Sequence, residues 1–185
     1  MSRIPRPAPD ELDDEQRRLH ASITSGSRSS GPRLFRLADD EGRLEGPFNA
    51  MLLNPAIGDP LQQVGVALRY QGRLSDRSRE IAVLAVAAHW QSAFEQRAHE
   101  AVGAHAGLTD AELKALRAQG PLDLDDPEES AVLLITRHVL RHRDLDDERY
   151  RDVSATLGAD KLFELTTLIG YYSTLALQMR VFAVE

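Results

Sequence analysis

Apolar residues recur along this chain at the three- and four-residue intervals of a helix, and no stretch shows the strict alternation of a half-buried strand. Residues 1–9 are rich in proline and read as an extended arm. Asp10 to about Ser25 reads as a polar helix, and Ser25 to Pro32, dense in Ser and Gly, as a flexible loop. Arg33 to Gly46 mixes charge with a few apolar anchors (Leu34, Phe35, Leu37) and fits no single element. Pro47 to Leu53 suggests a short helix opened by its proline. Pro55 to Tyr70 continues as a helix with Leu61, Val64 and Leu68 on one face, broken at Gly72 to Ser75.

Ser75 is a good N-cap for a helix running to Trp90, and its centre, Ile81 to Ala88, is apolar on every side. Such a helix is expected at the middle of the molecule. Ser92-Ala-Phe-Glu95 has the form of a capping box opening a helix that ends at Gly107, and Thr109-Asp-Ala-Glu112 opens a short one to about Ala118. After an acidic loop, Pro127 to Arg143 is amphipathic. Asp146 to Leu157 forms another helix stopped by Gly158, and Asp160 starts the last one, to about Phe182. There is no internal repeat. The division expected is an N-terminal arm and polar helix over 1–32 and a helical domain over 33–185.

Composition narrows the function more than the fold. The 185 residues are 42% hydrophobic and 28% charged, enough to bury a core without staples. A net charge of −7 argues against a nucleic-acid partner and against docking on an anionic membrane. Leu165 to Val184 is mostly apolar, but it contains Gln178 and Arg180 and lacks a basic flank, so it reads as a buried helix and not a span. The first residues carry no apolar targeting segment, and a cytoplasmic location is expected. The chain has no cysteine, which excludes disulfides, thiolate metal sites and cysteine nucleophiles.

The candidate chemistry lies between Glu80 and Gly107. Glu95 and His99 are four residues apart, hence on one helical face, and Ser92 sits a turn earlier at the helix mouth. Two helices meeting at a corner could aim Glu80 at His99. A carboxylate beside an imidazole is a proton-transfer pair, because each moves the other's pKa toward neutrality.

The segment from Arg79 to Glu100, REIAVLAVAAHWQSAFEQRAHE, resembles the signature of the carboxymuconolactone decarboxylase and alkylhydroperoxidase D (AhpD-like) superfamily. Members place a Glu about a dozen residues before a Cys-x-x-Cys and a His four residues after the second Cys. Glu80 stands at the position of that Glu and His99 at that of the His, while Ser92 and Glu95 stand where the two cysteines would be. Gly46 to Pro55, Ala106 to Leu113 and Glu164 to Tyr172 resemble flanking segments of the same family. The resemblance implies an all-α, AhpD-like helical bundle of about seven to nine helices, in its cysteine-less branch. Ser92 and Glu95 cannot form or reduce a disulfide, so thiol peroxidase chemistry is excluded by atoms alone. What the resemblance then implies is the decarboxylase side: a lyase needing neither metal nor cofactor, acting on a small carboxylated lactone or related ring compound. It implies a homo-oligomer as well, a dimer, trimer or hexamer.

Glu80, His99 and Glu95 are accordingly the candidate catalytic residues. Ser92, His89, Trp90, Tyr171 and Arg69 are the candidates for holding substrate. Each has a plainer reading. Ser92 and Glu95 can serve only as a capping box, Glu80 as a first-turn acid, His89 as a cation at a helix C-terminus, Tyr171 and Tyr172 as core, and Arg69 as half of a surface ion pair. His138 and His142, at i and i+4, lack an evident third metal ligand, and His20 and His105 read as surface residues. An isomerase or cyclase using the same pair, or a non-catalytic ligand-binding or assembly protein that has lost the thiols, are the rival readings.

Overall fold

Eight α-helices carry the described residues of the computed structural model, which are 2–26 and 34–184. They are α1 (Asp14–Ser25), α2 (Pro47–Met51), α3 (Pro55–Tyr70), α4 (Asp76–Trp90), α5 (Ala93–His105), α6 (Asp110–Arg117), α7 (Pro127–His142) and α8 (Asp147–Phe182). No strand forms among the described residues. The segment that fitted no element holds a single antiparallel bridge, Ala38 to Leu44. The fold is all-α, as the periodicity predicts. Most of the Ser/Gly-rich loop expected after Ser25 lies outside the described residues. No described helix is long and apolar enough to cross a membrane.

The chain forms two compact units, Met1–Gln71 with Thr174–Glu185, and Gly72–Ser173. In the first, α1 and α2 pack on α3. The helix expected from Asp10 divides there: Pro9–Glu11 makes one 3-10 turn, and α1 begins only at Asp14. Asp13 accepts from the Gln16 backbone N–H at 2.8 Å while Gln16 Oε1 accepts from the Asp13 N–H at 3.1 Å. This reciprocal cap is a stronger start signal than anything at Asp10.

In the second unit α4 is the central element and packs against α5, α6 and α7. Every residue from Ser78 to Ala88 is buried. That is what an all-round apolar helix requires. Ser75 caps it as expected, its Oγ accepting from the Ser78 N–H at 3.0 Å. Arg77 ties the group together. It donates to Glu129 of α7 and Glu112 of α6, both at 2.7 Å, and to the carbonyl of Gly107. Thr109 and Glu112 form the expected box at the start of α6. The two last helices of the sequence reading are separated at Gly158, whose φ of 78° and ψ of 160° are not helical; both lie within the range labelled α8.

Candidate functional site

Glu80 lies in the second turn of α4, 1% exposed. At the far end of that helix Gln91 takes the left-handed conformation, φ 55° and ψ 39°, and the chain reverses into α5. The reversal lays α5 back along α4. His99, nineteen positions beyond Glu80, thereby reaches it: His99 Nδ1 is 2.7 Å from Glu80 Oε2, with both groups buried. An ionised carboxylate only accepts, so against it Nδ1 carries the proton and donates, which fixes the tautomer.

The other carboxylate oxygen of Glu80 lies 3.4 Å from Nε of Arg79. Arg79 is itself buried and donates through Nη2 to Asp76 at 2.8 Å. Desolvation opposes its charge, but the Asp76 hydrogen bond and the charges of Glu80 and Asp76 outweigh it and hold the guanidinium above its ordinary value. The buried Glu80 carboxylate therefore has a permanent counter-charge beside it, the condition under which a carboxylate stays ionised in a dry setting. Sequence reasoning missed Arg79 as a site residue. Adjacent residues on a helix do not normally face one another, so spacing gave no signal; the long guanidinium arm turns back to reach its neighbour.

Tyr172 of α8 closes over the imidazole, its ring perpendicular to that of His99 with centroids 5.0 Å apart. Tyr171 packs edge-on against Tyr172 at 5.1 Å. Both tyrosines are buried.

Glu95 is the unusual group. It is 2% exposed, one helical turn before His99, and neither carboxylate oxygen has a hydrogen-bond partner among the described residues. Burial pushes its pKa up to about 8, against the nearby Ser92 side chain, which acts to lower it. The capping box expected from Ser92 and Glu95 does not form. Ser92 is the N-cap residue of α5, but its side chain makes no capping hydrogen bond. The Glu95 side chain is buried in place of lying exposed at the helix start.

The remaining candidates scatter. Ser92 is buried at the mouth of α5. His89 is exposed and Trp90 half-buried at the end of α4, their rings edge-to-face at 6.2 Å. Arg69 belongs to the other unit, where its guanidinium lies over the rings of Phe35 and Tyr70 at 5.6 and 5.7 Å, and no ion pair forms there among the described residues. His20, read as a surface residue, is half-buried with Nε2 2.8 Å from the Gly42 carbonyl oxygen.

These features define an all-helical, thiol-free protein whose distinguishing group is a buried carboxylate–imidazole pair across a helical corner. The model of the Carboxymuconolactone decarboxylase family matches residues 55–138, the stretch that holds α3 to α6, most of α7, and Glu80, Glu95 and His99. Over that segment the chain is similar to that family, and its sequence contains no cysteine. No curated protein matches the chain.

Proposed function

We propose that this protein is a cofactor-independent lyase that removes carbon dioxide from a small carboxylated lactone or related ring compound by proton transfer through Glu80 and His99. The observation that carries the reading is the buried 2.7 Å contact between the two side chains. With Nδ1–H donated to the Glu80 carboxylate, Nε2 of His99 is the nitrogen that exchanges protons, and the carboxylate stabilises the imidazolium when it forms. Glu95, with its pKa near 8, keeps its proton at neutral pH and serves as the acid. In the step, the bond between ring carbon and carboxylate breaks with its electron pair left on the ring system. A proton from Glu95 or the imidazolium then reaches that carbon. Ser92, Trp90 and Tyr171 remain proposed substrate contacts, and the assembly is proposed to be a homo-oligomer.

The test is carbon dioxide release from candidate carboxylactones by the wild type, Glu80→Gln and His99→Ala, with circular dichroism to confirm folding. General acid–base catalysis contributes about 10²–10⁴-fold, so both variants should lose activity on that scale. Equal rates in all three proteins would overturn the mechanism. Consumption of substrate without gas would favour an isomerase or cyclase.

A further inference from the structure

A second concentration of charge lies at the opposite end of α4 from Glu80. His89, in the last turn of α4, shares an open recess with Gln119, just beyond α6, and with Arg137 and Arg141 of α7, over a floor that includes Leu116 and Leu140. The recess is open to solvent. It holds two arginines and a histidine and no carboxylate, in a chain of net charge −7.

The arginines are unlike others in the same unit. Arg77 is paired with Glu112 and Glu129, and Arg117 with Glu100. Arg137 donates only to the carbonyl of Gly120, at 2.9 Å, and neither it nor Arg141 makes an ion pair among the described residues. Placed at i and i+4 on one helix, the two guanidinium groups repel. Burial and the neighbouring Arg141 charge hold Arg137 below its ordinary value, and no acid acts in the other direction. The C-terminal carbonyls nearby explain why a cation is tolerated here. They do not supply the counter-charge that two adjacent guanidinium groups call for.

We propose that the His89–Arg137–Arg141 recess is a binding site for a small oxyanion, the carboxylate or phosphate group of a ligand, gripped by the two guanidinium forks with His89 as a further donor. The planar forks match both oxyanions. Glu80 and His89 are nine residues apart on one helix, about 13 Å along its axis. The site is therefore distinct from the carboxylate–imidazole pair, and the proposal does not depend on the lyase reading.

The test is isothermal titration of the full chain with inorganic phosphate and, separately, with malonate, at ionic strength held constant with chloride. The expected result is saturable one-site binding of at least one anion. Arg141→Gln should weaken it by about tenfold or more, the scale of a lost charged hydrogen bond, while the exposed Arg97→Gln leaves it unchanged. Response to phosphate alone assigns a phosphate group, and response to malonate alone a carboxylate. Arg141 is exposed, so its replacement tests the site without touching the core, and the double variant with Arg137→Gln should abolish binding. No saturable binding of either anion, an unchanged Arg141→Gln, or an equal loss in Arg97→Gln would each overturn the proposal.

Discussion

Glu95 is a carboxyl group set where water does not reach it, and its titration should be visible in the stability of the whole protein. In the unfolded chain it ionises near its ordinary value of 4.5, and in the folded protein only near 8. Below pH 4.5 both states keep the proton, and the contribution to stability is complete. As pH rises from there, the unfolded state sheds its proton first and is stabilised relative to the folded state. Stability therefore falls across the window from about 4.5 to about 8 and levels off above it. Glu95→Gln should flatten that slope and be more stable than wild type at pH 8 by something on the order of 2–5 kcal/mol, read from urea denaturation at several pH values. Parallel stability curves would mean that Glu95 is solvated in the folded protein. Glu80, Glu95 and His99 were all legible as candidates because their spacing puts them at one helical corner. The plight of Glu95 was not, since a Ser-x-x-Glu pattern reads equally well as a surface cap.

Among the elements, α8 shows how one residue edits a helix. Gly158 sits at φ 78° and ψ 160°, a region open only to glycine, and a Cβ there would also come within 2.9 Å of Asp160 Oδ1. Gly158→Ala should cost about 1–3 kcal/mol, seen as a lower thermal midpoint. An unchanged midpoint would mean that the break relaxes into continuous helix. The break itself was readable, because glycine after an apolar-periodic run is a stop signal. The restart at Asp13 in place of Asp10 was harder to see. Two acidic starts compete there, and Gln16 decides by capping Asp13 and by donating through its side chain to the Leu52 carbonyl at 3.1 Å. That second contact is tertiary and leaves no local trace.

At the scale of the whole molecule, the surface retains large apolar side chains. Ile57 is 62% exposed, Leu134 67% and Phe163 74%. Single exposed apolar residues are ordinary, but this many on several helices supports the proposed self-association. Sedimentation equilibrium at micromolar concentration should give a mass that is a multiple of 20.5 kDa, and Phe163→Asp should reduce it. A wild-type protein of 20.5 kDa under those conditions would remove the assembly proposal.

The amino-acid order by itself determined that the chain is helical, where most helices begin and end, that α4 lies at the centre of its unit, and that no thiol chemistry is possible. These are consequences of local periodicity, caps and atomic composition, which act over a few residues. Only the tertiary structure decided that Arg79 bends to the carboxylate beside it, that Tyr172 closes on His99, that Glu95 is buried, and that His89 shares a recess with two arginines of α7. Those outcomes depend on which helices lie against one another and on how much water is left between them. Desolvation and charge pairing are set by neighbours distant in sequence, so no local pattern encodes them.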